Sequence, residues 1–376
     1  MKLVFWLCAV GVIYPYLLYP ALLGVIRVFA KRRGAPPDPS LPGVTMIIPV
    51  FNEEARIERK VANTAALEYP PERLQVLFVS DGSTDGTVNL IRAKAPAHME
   101  LVELSPRRGK AAALNAGLTR ARHDIVVFSD ASIALEAVSL SRIVRSFSDP
   151  RVGCVSGEDR IAGGDGEGLY GRYELMLRRM ESDVHSIVGA SGSFYAQRRA
   201  LCPPFPEGLA PDFLSVLRTV ERGYRAISEP SAVGAMTALK STQQEFERKV
   251  RTVLRGMTTL FAHLPLLNPI RYGAFAFSLW SHKVLRWMVP LFLAGALISP
   301  VALLGSPFYL TAFVAQLAFY LLAFAAFREW PGVQRVPGTR IALYFSSVNI
   351  AIAIAWYRYG RGVRQELWTP SQRERA

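Results

Sequence analysis

Two aspartates stand where apolar runs end. Asp81 lies in VSDGSTDGT (residues 79–87), directly after Leu74–Val79, and Asp130 lies in DIVVFSDAS (residues 124–132). One acidic tip is ordinary turn chemistry, because Asp-Gly favours tight turns. Two such tips, with PVFNEE (49–54) closing a third apolar run, mark one edge where carboxylates gather. RRGK (107–110) adds cations at the start of a helical stretch, a position that already favours phosphate. Carboxylates are hard oxygen ligands, and magnesium or manganese takes one or two of them while keeping phosphate oxygens. The set therefore suits a nucleotide diphosphate with Mg2+ or Mn2+. No GxxxxGK[ST] is present, which argues against a P-loop ATPase. No GxGxxG follows the first strand, which argues against a dinucleotide oxidoreductase.

The elements that must carry these residues follow from the pattern. VTMIIPVF (44–51), LQVLFVSD (74–81), MELVEL (99–104) and DIVVFSD (124–130) read as strands. Between them lie a helix from Glu53 with Ile57, Val61 and Thr64 on one face, a helix capped by Ser83-Thr84-Asp85, and the alanine-rich KAAALNAGLTRA. Apolar strands alternating with helices predict a parallel sheet covered on both faces. Ligands of such sheets bind at the carboxyl ends of the strands. Further on, VGCVSGEDRI reads as a fifth strand, and 168–184 as a helix with Tyr170, Tyr173, Leu177 and Met180 on one face, a stripe expected to be core. GASGSFYAQRR is a small-residue turn into a strand, where Gly192 and Ser193 allow close approach of a substrate. A helix begins near Asp212, followed by the strand RAISEP, and 242–268 reads as a basic amphipathic helix of the kind that lies along a lipid interface.

Composition sets the wider frame. The 376 residues are 51% hydrophobic, with 44 Lys plus Arg against 30 Asp plus Glu. Apolar runs of membrane-spanning length occur at 3–29, 287–304, 308–327 and 341–357. Lys31-Arg32-Arg33 after the first run predicts a cytoplasmic position for the central domain. With no nucleic-acid signature, the positive charge is assigned to the lipid bilayer and an anionic nucleotide, and no nucleic acid is expected as partner. Cys8, Cys154 and Cys202 are too scattered for a disulfide framework or a zinc site, and the five histidines show no metal spacing. The expected organisation is a transmembrane helix at 1–30, a basic Pro-rich linker at 31–43, an α/β domain at 44–240, interfacial helices at 241–286, about three membrane helices at 287–357 and a basic tail at 358–376.

PVFNEE, SDGSTDGT, RRGKAAALNAG, VVFSDAS, GASGSFYAQRR and APDFLSVLRTVERGY occur in this order. Together they closely resemble the family-two glycosyltransferases of GT-A fold, in particular the membrane-embedded bacterial polysaccharide and exopolysaccharide type. The resemblance covers residues 40 to 260. It implies a Rossmann-like nucleotide-sugar domain with transmembrane helices, in the inner (cytoplasmic) membrane. Pro49, Phe51 and Glu53 then line the nucleoside pocket, Asp81 reads the base, usually uracil, and Lys110 approaches base or phosphates. Asp130 matches the first acid of the metal motif, and Asp212 matches the general base of a single inverting displacement.

Three departures stand out. Ser132 replaces the second metal-motif acid, and Pro211 precedes the base where an acid is common. EFERKVRTVLRG (245–256) lacks the tryptophan of the processive QxxRW motif, so one or a few additions per encounter are expected. Arg248, Arg251 and Arg255 are candidate acceptor or diphosphate contacts and equally candidate contacts to anionic lipid. The acceptor stays open between a saccharide and a polyprenyl-linked one. A polyprenyl-phosphate monosaccharide transferase is the runner-up, and a non-catalytic subunit the reading from a different class. A second copy or a synthase partner is compatible with the three later membrane segments.

Overall fold

The structure is a computed structural model, and it describes residues 1–29, 41–162, 165–202, 204–237 and 242–364. Lys31-Arg32-Arg33 and the tail residues Arg373 and Arg375 lie outside the described residues.

The first four expected strands form as β1 (Val44–Val50), β2 (Leu74–Asp81), β3 (Met99–Leu104) and β4 (Ile125–Ser129). Every residue of β1 and β2 is buried. That is why they read as unbroken apolar runs: both faces are covered. Ile47, Leu77, Val79, Val126 and Phe128 face one core, with the helices Lys110–Arg120, Pro211–Glu221 and Thr242–Phe261. Met46, Ile48, Val76, Phe78 and Val127 face a second core, under the helices Glu54–Ala65, Thr87–Lys94 and Ser139–Arg145. Each fully buried aliphatic side chain contributes roughly 1.5–3 kcal/mol.

The sheet holds eight strands in the order β3-β2-β1-β4-β7-β6-β8-β5, with β5 at Ala134–Leu135, β6 at Val152–Ala162, β7 at Phe194–Arg198 and β8 at Arg225–Thr237. Strands β3, β2, β1 and β4 run parallel, and β7 enters antiparallel beside β4. The result is a mostly parallel, Rossmann-like sheet. The chain leaves β1 toward β2 and β3 and then returns to β4 on the other side of β1. The strand order therefore reverses between β1 and β4, where open α/β sheets bind ligands.

The last strand exceeds the expected RAISEP. It runs 13 residues because its second half pairs with Glu158–Ala162 beyond an irregularity at Ser156/Glu158. The capping of the second helix also differs in detail. Gly86 is the cap residue, while Asp85 Oδ1 accepts the Thr87 amide at 3.0 Å.

Four helices, among the described residues, are long and apolar enough to cross a membrane: Lys2–Phe29, Pro269–Leu303, Pro307–Phe327 and Thr339–Gly360. The second begins well before the expected residue 287, so 271–286 continues into the apolar helix. Its pattern is hidden by His282, Lys283 and Arg286, three ionisable residues within an otherwise apolar segment.

Candidate active site

The cleft at the reversal point is lined by Pro49, Lys110, Phe128, Asp130, Gly192, Tyr195, Pro211 and Asp212. A larger surface depression lies at the other end of the sheet, around Gly43, Arg122, His123 and Arg198. It faces the amino ends of β1 and β4, and its Arg198 is spent on the carbonyls of Val152, Phe147 and Asp149. The smaller cleft is the one that gathers the expected site residues Pro49, Lys110, Asp130, Gly192 and Asp212.

Asp81 ends β2 and is 1% exposed. Its Oδ1 accepts the Arg108 amide and its Oδ2 the Gly109 amide, both at 2.8 Å. The strand tip thus fixes the RRGK loop against the sheet edge. Gly109 needs its φ of 93° to present that amide, and a Cβ on Gly82 would lie 3.0 Å from Arg107 N. The glycines of SDG and RRGK are therefore a packed pair of turns. The Arg107 guanidinium stacks 3.7 Å over Phe51, and its Nε lies 3.8 Å from Asp81. Glu53 is buried, with its carboxylate 3.6 Å from Arg56 and its amide donating to Thr87 Oγ1. Asn52 takes a φ of 49°, which asparagine tolerates, and bonds Thr84.

Lys110 opens the helix beneath that loop and donates to Asp130 Oδ1 at 2.5 Å. It also reaches the Gly192 carbonyl at 3.4 Å. The Ser193 carbonyl accepts the Asp130 amide at 2.9 Å, which closes the loop 189–193 onto β4. Gly192 keeps this side open, because a Cβ there would stand 3.8 Å from Asp212 Oδ2. Asp212 lies in the first turn of Pro211–Glu221. Among the described residues its carboxylate receives no hydrogen bond or ion pair, so both oxygens are available to the cleft.

Pro49, Lys110, Asp130, Gly192 and Asp212 thus meet in one cleft, while Phe51, Glu53 and Asp81 are not among its lining residues and lie at the tips of the neighbouring β1 and β2. Ser193 contributes its backbone. Arg255 approaches this site. Its guanidinium donates to the Leu209 carbonyl, and its Nε is buried without a partner among the described residues. Burial lowers its pKa while the charge of Asp212 raises it. Arg251 and Arg248 lie one and two turns earlier on the same helix, and burial also lowers the pKa of Arg251.

One carboxylate, a neighbouring serine and an exchangeable lysine fit a divalent cation that arrives with its own phosphate ligands. No group of three or more metal-ligating side chains exists among the described residues, so a cation held by protein alone does not fit.

Sequence reasoning missed Lys60. Its Nζ donates to Ser129 Oγ and the Ile133 carbonyl, both at 2.8 Å, which pins the two ends of the Asp130–Ser132 loop. Burial pushes this ammonium down to about 7, against the pull of Asp130. The signal was present: Lys60 shares the buried face of Ile57, Val61 and Thr64. The stripe expected in the core packs as one: Leu177 is fully buried in a small cluster with Tyr19 and Leu23, and Tyr173 and Met180 pack against it, at a joint with the N-terminal helix. Tyr170 stacks near Tyr344, and Tyr173 donates to the carbonyls of Pro15 and Tyr16.

Residues 45–203 match the family model described as Glycosyl transferase family 2. The poly-beta-1,6-N-acetyl-D-glucosamine synthase of Staphylococcus aureus (strain COL) is 32% identical over 234 residues, 58% of this chain and 56% of that protein. The synthase of the same name from Staphylococcus epidermidis is 29% identical over 162 residues, 40% of this chain and 38% of that protein. The chain thus spans about half the length of the first of these relatives. Among solved structures, the mannosyltransferase PcManGT from Pyrobaculum calidifontis, in complex with GDP-Man and Mn2+, superposes with a TM-score of 0.72 at 26% identity. The match covers 94% of this chain and 97% of that one.

Proposed function

Residues 45–203 are a family-two glycosyltransferase domain of GT-A fold, and from that premise we propose that the chain is a membrane-bound inverting glycosyltransferase. It takes a sugar from a nucleotide-sugar donor, UDP-linked in this reading, for surface polysaccharide or glycolipid synthesis. The acceptor is a saccharide or a lipid-linked group, reached from the cytoplasmic face of the inner membrane. The observation that carries the reading is the uncommitted Asp212 carboxylate, in one cleft with Lys110 and Asp130.

The chain's own groups divide the work. Asp212 takes the proton of the acceptor hydroxyl as its oxygen bonds the anomeric carbon, and the bond from that carbon to the diphosphate breaks. Lys110 exchanges Asp130 for the departing phosphates and follows their growing charge. Asp130, with Ser132 beside it, would hold a divalent cation, which supplies charge neutralisation when bound together with the diphosphate. Phe51 gives the base a flat apolar face once Arg107 moves aside. Asp81 serves recognition through the loop it pins, and its remaining lone pairs suit a base N–H. Lys60 keeps the Asp130 loop in shape.

A mass-spectrometric screen of products formed by purified full chain from UDP- and GDP-sugars tests the proposal. A glycosylated product that depends on Asp212 is expected. Donor binding without turnover under every condition would instead favour a non-catalytic subunit. PcManGT was solved with GDP-Man, so GDP-sugar turnover with none from UDP-sugars would overturn the assignment of the base. A labelled-donor pulse followed by unlabelled chase is expected to show one or a few additions per encounter, consistent with 245–256 lacking the tryptophan of the processive motif.

A further inference from the structure

Lys283 lies in a π-helical turn, Trp280–Val284, of the apolar helix Pro269–Leu303. A π-turn inside an α-helix frequently marks a functional position, and so does an ionisable residue inside an apolar span. A second π-turn, Tyr14–Leu18, meets it, with Tyr14 Oη 2.9 Å from Ser281 Oγ. This crossing marks a level in the molecule. On one side, Tyr19 and Leu23 pack on Leu177 of the helix Asp165–Val184. Large apolar side chains stand open on the other side, including Val10, Leu291 and Ile298, and also along the helix past Leu23, at Val25, Val28 and Phe29. Lys283 therefore lies where the sheet-bearing body packs onto the exposed apolar helices.

The charges around it do not neutralise it. Glu174 gives one oxygen to Arg286 and the other to His282 Nε2 at 3.1 Å. Glu181 accepts from Tyr19 Oη at 2.8 Å, faces His282 Nδ1 at 2.6 Å and accepts the Val188 amide at 3.3 Å. All four carboxylate oxygens are engaged without Lys283. Arg178 is likewise held apart, bonded to Ser156 Oγ. Lys283 itself makes no hydrogen bond or ion pair among the described residues. Two carboxylates face Arg178, Lys283 and Arg286, which leaves a positive balance.

The ammonium points toward the cleft side. It lies 5.6 Å from the ring centre of Phe213, the residue after Asp212. It would be 3.6 Å from a Cβ on Gly189, in the loop that leads to Gly192.

Resting on the glycosyltransferase reading, we propose that Lys283 is an acceptor-side anion subsite that takes a phosphate group carried by the acceptor at the bilayer surface. An unneutralised ammonium in low-dielectric surroundings makes strong charge-assisted bonds to phosphate oxygen. The depth of Lys283 matches a phosphate anchored by a lipid tail, and its place beside Phe213 puts that phosphate next to the general base.

The test uses full chain in phosphatidylcholine nanodiscs, with farnesyl phosphate, farnesol and inorganic phosphate as probes. Wild type is expected to bind farnesyl phosphate at least about tenfold more tightly than farnesol. Lys283→Ala loses that preference and Lys283→Arg retains most of it, while nucleotide–Mn2+ binding stays unchanged and reports folding in both. Competition by inorganic phosphate at similar concentrations assigns the subsite to soluble phosphate groups, and absence of competition assigns it to lipid phosphate. Equal binding of farnesyl phosphate and farnesol by wild type overturns the proposal, and so does undiminished preference in Lys283→Ala. A phosphate preference without transfer from any nucleotide sugar would break the glycosyltransferase reading alone.

Discussion

The strand-tip cleft and the joint around Glu174 both concentrate charge, and they differ in what is left over. In the joint every oxygen of Glu174 and Glu181 already has a partner on another element. Burial works against ionised Glu174, yet Arg286 and His282 hold its carboxyl well below the usual range. In the cleft Asp212 is uncommitted, and Asp130 has one oxygen on Lys110 and the other without a partner among the described residues. Side-chain exposure does not separate the regions: Lys110 and Asp130 are 13% and 23% exposed, Arg286 and its partner Glu174 7% and 24%. What separates them is that filled pairs hold elements together, whereas half-filled pairs are exchangeable for a ligand. Lys283 belongs to the joint by position and to the cleft by chemistry.

Substitutions can break this contrast. The largest effect is expected from Asp212→Asn. An amide keeps the shape but cannot take the proton, so transfer falls by ~10²–10⁴ while nucleotide binding, measured by titration calorimetry, is retained. Wild-type turnover by this variant would remove Asp212 from the mechanism and leave the cleft without a base.

Glu174→Ala attacks the joint instead. It leaves Arg286 and His282 facing a lost partner, a change that costs about 3–5 kcal/mol when a buried pair is broken. A sharply lower unfolding temperature is expected, with residual activity at low temperature. An unchanged melting curve would mean that this charge cluster does not brace the fold.

Asp130→Ala sharpens the contrast. Binding of UDP with Mn2+ is expected to weaken by about 10–100-fold, the loss of one charged contact, with little change in thermal stability. Loss of stability without loss of affinity would make Asp130 a structural residue like Glu174.

A surface pair gives the baseline. Arg151 bonds Asp149 through two nitrogens, at 3.0 and 2.9 Å, and this pairing lowers the Asp149 carboxyl from 3.8 to about 2. A depressed carboxyl stabilises the fold above its unfolded pKa, and the contribution is lost as pH falls through about 2. Arg151→Ala is therefore expected to lower stability only slightly at pH 7, with the gap to wild type closing between pH 4 and 2. Denaturant titrations at both pH values check it.

How much of this was legible in the chain depends on whether the cause was local. Strands β1, β2 and β4 could be read because burial on both faces demands apolar runs, whereas β3, at the sheet edge, buries only Met99 and Val102; short turns leave little freedom between them and the helices. The glycines and aspartates of SDGSTDGT and RRGK could be read as turns, and Asp81 and Asp130 as strand tips. Lys60 escaped notice because a lysine among Ile57, Val61 and Thr64 looks like a solvated edge until Ser129 and the Ile133 carbonyl are brought above it. The full length of β8 was hidden because its second half is defined by a partner strand some 70 residues away.

The sequence by itself determined an alternating α/β sheet with acidic tips on one edge, a basic amphipathic helix and several apolar segments. These follow from periodicity and from the chemistry of single residues. Only the tertiary structure decided which charges are spent and which are free. Asp81 is committed to two amides 27 and 28 residues away, Glu174 to side chains more than 100 residues away, and Asp212 to none among the described residues. Whether a charged group is a brace or a reagent is set by the partners folding brings within about 3 Å, and those partners are remote in the chain.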